Sequence, residues 1–573
     1  MRNTFLLFAS WFFYYKTSGL ALLILLFVTL SDWLIGKQIY RNQARQQSVK
    51  AKVWLIVSIV IDLGLLCYFK YAYFLTNMLN DMFGTSLHVF DIFAWIGNGG
   101  SCTGRFAVDQ IVLPVGISFY IFQVISYTAD IYRGKIKPVS NPLDFGLFVS
   151  FFPQLVAGPI VRAEEFIPQL YKPFNLSRRQ MGMAVFWILN GLAKKIILSD
   201  YIAVNFVDRV FETPLLFSGF ENLLALFCYS LQVYADFSGY TDIAIGVALL
   251  MGFYLPQNFD SPYKARNPQE FWRRWHMSLS KWLKTYLYIP LGGNRNATFG
   301  TWFWIITISL IAIVLTDSWA IGVTIAVIGV TTTLIGIFHK DSRKKLYAHL
   351  NSFITMLLGG LWHGASWNFM IWGGLNGIGM IINKIWRDRS RHVQMLILTI
   401  VTATLLTIRH FYAYPVWNML AVWIAVIWVI DALRYIYFLL PLKYEFKWLS
   451  NVWAVLQTFV FITFTRLFFR SGSNLDPETA NEVAWDTARM MVNQIGSAWQ
   501  GDILPMVLSH LNVIVLFILG MAIHWLPDRF KRWYRIEFAS MPLWLTAIVA
   551  IIAVIVIAQF ITNDLQAFIY FQF

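Results

Sequence analysis

Of 573 residues, 58% are hydrophobic and 13% carry charge, against about a quarter charged in soluble proteins; this excludes an ordinary soluble domain and implies an all-α, polytopic integral membrane protein. The excess of 45 Lys and Arg over 30 Asp and Glu is divided into short clusters between apolar spans, a pattern of membrane topology and anionic headgroups rather than of nucleic-acid binding. Cys67, Cys102 and Cys228 are scattered without metal-ligand spacing, so neither a disulfide framework nor a metal site is expected.

Taken in order, the apolar stretch 4–15 is interrupted at Lys16 and resumes over 19–35. No small-residue cleavage site follows it, so it reads as retained. Lys37, Arg41, Arg45, Lys50 and Lys52 place the next loop in the cytoplasm. A span over 53–69 leads to the more acidic stretch 81–109 outside, and a span over 111–132 returns to Arg133, Lys135 and Lys137. Residues 143–160 contain Pro153 and the pair Gly158 and Pro159; a regular helix does not run through both, so a broken or re-entrant piece is expected. The span 181–207 leads outward to Asp208 and Glu212. Within the apolar run 223–253, Asp236 and Asp242 need partners or water, and the stretch reads as a structural kink with satisfied carboxylates rather than as a catalytic pair.

Asn267, Pro268 and Glu270 form a helix start, with Asn as cap, Pro at the first position and Glu at the third. Continued as one helix over 271–287 at ~100° per residue, Phe271, Trp272, Trp275, Leu279, Trp282, Leu283 and Tyr286 share one arc. Arg273, Arg274, Lys281 and Lys284 take the other, and His276 lies at the apolar edge. The pattern is that of an interfacial helix whose basic face meets headgroups or an anionic cofactor. The Gly292 and Gly293 loop that follows reads as a helix terminator or as a phosphate cradle.

Residues 301–338 form an apolar hairpin with basic flanks on both sides. The stretch 353–382 also begins and ends beside basic clusters, and its ~30 residues are too few for two spans of ~20, so a re-entrant or broken pair is required. At its centre lies His363, between Trp362 and Trp367, near Ser366 and Asn368, and flanked by the small-residue steps Gly360 to Gly364 and Gly373 to Gly377. An imidazole at membrane depth marks a functional site or a hydrogen-bonded packing residue that ties helices together. Spans over 395–408, 416–440 and 448–468 lead to an acidic outer loop, 474–502. Spans over 506–526 and 543–560 close the chain, with Arg529, Lys531, Arg532 and Arg535 between them.

The motifs around His276 (FWRRWH, 271–276), LGGNR (291–295) and around His363 (LGGLWHGASWN, 358–368) resemble the membrane-bound O-acyltransferase (MBOAT) superfamily, most of all its alginate O-acetyltransferase branch, which includes teichoic-acid D-alanyl transfer proteins. LPVGISFY (113–120), FPQLVAGP (152–159), YADFSGY (234–240), RLFFR (466–470) and FIYFQF (568–573) extend the likeness along most of the chain. The resemblance implies one membrane domain over 1–573, with core motifs in 111–295 and 353–382, helices around a central cavity, and the hairpin 301–338 as an insertion. It also implies a further apolar segment in relatives ahead of the part matching 2–37. His363 corresponds to the family's essential histidine and His276 to its second polar residue.

On that basis His363 is the expected general base on a hydroxyl. His276 is expected to orient the acyl donor or steady the oxyanion. Asn368, Ser366 and Asp236 are expected supports, and Arg273, Arg274, Trp275 and Lys281 the acyl-donor side. The resemblance further implies acetyl-CoA or another acyl thioester as co-substrate with no cofactor permanently bound, and an exported polysaccharide as acceptor, with a periplasmic or surface protein completing transfer at a bacterial inner membrane. D-alanyl or lipid acyl transfer remains open within the family. A polysaccharide-export transporter or a scaffold is the reading from another class.

Overall fold

The computed structural model describes residues 2–568 except 156–157, 317, 339, 441–445, 474–478, 498, 500 and 562–567. Within lipid, backbone N–H and C=O groups must be satisfied inside the protein, which favours helices, and no strand occurs among the described residues. Helices α1 (Arg2–Ser18) and α2 (Leu22–Ala44) divide at Gly19, whose φ is 55°. Helix α3 (Ser48–Phe83) runs well beyond the apolar stretch 53–69, and α4 (Ile92–Gly97) and α5 (Ile117–Tyr132) follow. The piece 143–160 is broken as expected: Phe151 leaves the helical region between α6 (Pro142–Ser150) and α7 (Phe152–Leu155). Val156 and Ala157 of its motif lie outside the described residues.

After α8 (Ala163–Leu170), α9 (Arg178–Ala193) starts on a Ser177/Gln180 capping box and continues through π-helical turns to α10 (Asp208–Glu212). Helix α11 (Gly219–Leu250) corrects the expected kink, since its 32 residues form one unbroken helix. The reason is lateral satisfaction of both carboxylates. Asp236 pairs with Lys195 at 2.7 Å, and Asp242 pairs with Lys194 at 2.7 Å and accepts from Asn190. Nothing requires the α11 backbone to open.

Helices α12 (Pro268–Arg274) and α13 (Met277–Leu283) precede the hairpin α14 (Phe299–Thr316) and α15 (Trp319–Phe338), whose connecting Asp317 lies outside the described residues. The broken pair required around His363 is α16 (Lys340–His363) and α17 (Trp367–Arg387). Helices α18 (Arg391–Phe411), α19 (Pro415–Leu439) and α20 (Lys447–Ser471) match the three spans that follow. The region 474–502, expected as an acidic loop, contains α21 (Ala480–Gly496) among its described residues. Ala484, Ala488, Met491 and Ile495 are buried along it at helical spacing, and Val483, Trp485 and Glu482 are exposed; a stripe of small and apolar residues docks this helix despite its polar flanks. Helices α22 (Ile503–Ser509) and α23 (Leu511–Trp525) meet at 81°, and α24 (Asp528–Ser540) and α25 (Leu543–Ala558) at 118°. Of the terminal motif 568–573, only Phe568 lies within the described residues; it is buried, its ring 4.2 Å from that of Tyr240.

Among the described residues six helical stretches are long and apolar enough to cross a membrane, or eight if each bent pair counts as one span. The chain is therefore an all-α, multi-pass membrane protein.

Helices α16 and α17 close on each other through glycine. A Cβ on Gly360 would collide with the carbonyl oxygen of Phe369 and lie 3.1 Å from Gly373 Cα, and one on Gly373 would collide with the carbonyl oxygen of Met356. The contact pairs one glycine from each expected small-residue step. Gly360→Val is expected to force the two helices apart, at a cost of about 1–3 kcal/mol typical of overpacking. A lowered melting midpoint in detergent, with lost function of the His363 loop, is the readout.

Candidate functional site

His363 is the last residue of α16, and Gly364, Ala365 and Ser366 link it to α17. A helix that ends inside the protein leaves carbonyls that need donors. Here α3 supplies them. Lys70 Nζ donates to the carbonyls of Trp362 at 2.7 Å and His363 at 3.1 Å and to Ser118 Oγ at 3.3 Å, and Tyr71 Oη donates to the Leu361 carbonyl at 2.8 Å. An ammonium at a helix C-terminus is also favoured by the helix dipole. The His363 side chain is 2% exposed and packs edge-on against Trp372 and Phe469, ring centroids 5.0 and 5.5 Å away.

His276 corrects the expectation of one helix over 271–287. The chain breaks at Trp275 and His276, the latter at φ 44° and ψ 55°, and resumes as α13 and a π-helical turn over Lys284–Tyr288. No Pro or Gly marks the break in the sequence. Its cause is tertiary: the segment 258–260 takes the backbone bonds that a continuous helix would use. Met277 N–H donates to the Asn258 carbonyl at 2.9 Å, and Asp260 N–H donates to the Arg274 carbonyl at 2.9 Å. A non-glycine residue in the left-handed region is a strained conformation of the kind found at functional sites. His276 is fully buried rather than at an edge.

The two breaks bring the histidines together, with ring centroids 6.3 Å apart. Trp362 borders both, at 6.0 Å from His276 and 5.0 Å from His363, and Phe237 of α11 meets His276 edge-on at 4.6 Å. Two imidazoles in an aromatic enclosure are equipped for proton transfer with little water.

The other expected residues divide. Ser366 is buried directly before α17. Asn368 is buried, but its amide donates to Ser471 Oγ at 2.8 Å and to the Ala484 carbonyl at 2.9 Å, which ties α17 to α20 and α21. Asp236 is committed to Lys195. Arg274 is committed to Glu270 at 3.0 Å and Asp260 at 3.3 Å, and Trp275 is buried under the Arg466 guanidinium at 4.2 Å. Arg273 and Lys281 are exposed, as the basic arc required.

Sequence reasoning missed Lys70 and Asn258. Lys70 follows an apolar run and so reads as a topological flank; only the length of α3 places it beside the His363 loop. Asn258 carries no motif of its own. A cavity of about 480 Å³ lies between α9, α11, α23 and α24, with Lys194, His524, Lys531 and Arg535 in its wall. Neither site histidine lines it, but Asn258, whose Oδ1 is 3.2 Å from His276 Nδ1, does.

The family described as MBOAT, membrane-bound O-acyltransferase, matches residues 110–310. The chain is 36% identical over 384 residues to the probable alginate O-acetylase AlgI of Pseudomonas aeruginosa, covering 67% of this chain and 61% of that protein. It is 32% identical over 413 residues to the peptidoglycan O-acetyltransferase of Helicobacter pylori, covering 67% and 65%. It is 26% identical over 288 residues to the teichoic acid D-alanyltransferase of Streptococcus thermophilus, covering 49% and 59%. The match thus spans less than two thirds of the length of each of these relatives.

Lys70→Met is expected to leave the Trp362 and His363 carbonyls without their charged donor, lowering stability by about 1–3 kcal/mol. Because it also lets His363 shift, any reaction served by that ring is expected to slow by about tenfold or more. Thermal unfolding and turnover on the same purified variant check both.

Proposed function

We propose that the chain is an O-acyltransferase, moving an acetyl group from a cytoplasmic thioester towards hydroxyls of an exported polysaccharide; the match of residues 110–310 to the membrane-bound O-acyltransferase family supports the class. The observation that carries this reading is the buried pair His276 and His363, presented from two helix breaks with rings 6.3 Å apart. Names of the relatives support the class: one is a probable alginate O-acetylase and another a peptidoglycan O-acetyltransferase.

In this mechanism His363 takes the proton of the acceptor hydroxyl as its oxygen attacks the thioester carbonyl. The C–S bond then breaks, and the proton passes from the imidazolium to the leaving thiolate. Transfer is direct from the thioester to the hydroxyl, without a covalent acyl-enzyme. His276 holds the reacting groups beside His363, and the aromatic enclosure limits loss of the acyl group to water. The donor is an acyl thioester such as acetyl-CoA, its anionic part met by exposed cations such as Arg273 and Lys281 on the cytoplasmic side. The enzyme sits in a bacterial inner membrane and hands its product to a periplasmic or surface partner.

His363→Ala is expected to reduce acyl transfer by about 10²–10⁴-fold, the usual contribution of a general base, with normal membrane insertion; His276→Ala is expected to impair it severely. The assay incubates membranes with radiolabelled acetyl-CoA and identifies the labelled acceptor. Normal polysaccharide O-acetylation by inserted His363→Ala sinks the mechanism, and label transfer only from D-alanine on a carrier protein replaces acetyl with D-alanyl transfer.

A further inference from the structure

We propose that Asn258 is the positioning residue for His276, holding it as the neutral Nδ1–H tautomer so that the ring presents a lone pair, not an N–H, on Nε2. The catalytic consequence rests on the acyl-transfer reading; the hydrogen-bond geometry does not.

Asn258 is 1% exposed, and its side-chain orientation is determined by its neighbours. The backbone N–H of Ser278 lies 3.1 Å from Asn258 Oδ1, and a backbone N–H only donates. The atom facing it must therefore be the amide oxygen, and the amide cannot be turned around. The Ser278 hydroxyl donates to the same oxygen at 2.9 Å while accepting from the Ile160 N–H at 3.0 Å. His276 Nδ1 is 3.2 Å from this oxygen. An amide oxygen only accepts, so Nδ1 carries the hydrogen. A neutral imidazole has one N–H, so the lone pair is on Nε2. The backbone bonds that cause the helix break, from Met277 to Asn258 and from Asp260 to Arg274, hold the ring in reach of its partner.

Packing alone does not account for this residue. Asn258 Nδ2 is buried and makes no hydrogen bond among the described residues, which costs stability. The same oxygen that accepts from Ser278 at the start of α13 also faces His276 Nδ1, so one amide serves both the helix start and the ring. What the amide provides is an uncharged, correctly placed acceptor.

The chemistry of the site changes accordingly. A neutral His276 in this tautomer accepts a hydrogen bond from a substrate N–H or O–H next to the reacting hydroxyl. It does not donate to an oxyanion, so the oxyanion role expected for His276 from the sequence passes to another donor.

The test uses the full chain in nanodiscs with ¹⁵N-labelled histidine, where the tautomer is read by NMR and the His276 signals among nine histidines are assigned with His276→Gln. Wild type is expected to show Nδ1–H. Asn258→Leu is expected to move the population towards Nε2–H and to lower kcat by about 10- to 100-fold, with KM for acetyl-CoA changed by no more than about twofold. Asn258→Asp, which keeps the acceptor oxygen, is expected to restore the tautomer and most of the rate. Nε2–H in the wild type, an unchanged tautomer in Asn258→Leu, or a changed tautomer at unchanged kcat each overturns the proposal. If Asn258→Leu does not insert, the wild-type and Asn258→Asp spectra decide it. A wild type inactive with every acyl donor defeats the acyl-transfer reading while the tautomer result stands.

Discussion

A helix that ends within a membrane protein must find donors for its last carbonyls, and the site depends on how this chain meets that constraint. Lys70 and Tyr71 reach across from α3 to the carbonyls of Leu361, Trp362 and His363. Uncapped, these groups would favour continuing α16, and the His363 loop would lose its position. At the second break the same problem is solved with backbone: residues 258–260 pair with Arg274 and Met277 on either side of His276. Both histidines sit at interruptions whose polar groups are paid for by a neighbouring segment.

Around these breaks the packing is aromatic and tight. Trp362, Trp372, Phe469 and Phe237 surround the imidazoles, and Phe122 stacks on Trp282 at 3.7 Å, joining α5 to α13. Such a wall excludes water and strengthens the electrostatic interactions inside it. The glycine contact between α16 and α17 lets the His363 hairpin close without a gap. Further out, the ion pairs of Lys194 with Asp242 and Lys195 with Asp236 hold the continuation of α9 against α11. Phe237, which packs on His276, lies between those two carboxylates in sequence, so electrostatic anchoring and site geometry share one helix.

Much of this was legible one residue at a time. His363 stood out because an imidazole is costly in an apolar segment, and the basic flanks of 353–382 required the broken pair that α16 and α17 form. Pro153 and the Gly158 to Pro159 pair announced the interruption near α6. In 271–287 the aromatic Phe271, Trp272, Trp275 and Trp282 are buried and Arg273, Lys281 and Lys284 exposed, although the single helix that predicted those faces is broken and Arg274 and Tyr286 are half-buried. The break at His276 was not legible, because RRWHMS contains no helix breaker and its local propensity favours continuation. Asp236 and Asp242 indicated a kink that their lysine partners made unnecessary. In 474–502, polar residues concealed the stripe Ala484, Ala488, Met491 and Ile495.

The sequence by itself determined that the chain is a helical membrane protein, the approximate spans, and the two histidines at its centre, because hydropathy, charge bias and the cost of a buried imidazole act through composition and spacing. Only the tertiary structure decided how those histidines are presented. Lys70 is far from His363 in the chain and Asn258 reaches His276 across the interrupted helix. Hydrogen bonds that depend on direction and on a gap of about 3 Å arise only after the helices have packed, so neither the break at His276 nor the orientation of its partner could be read from residue order.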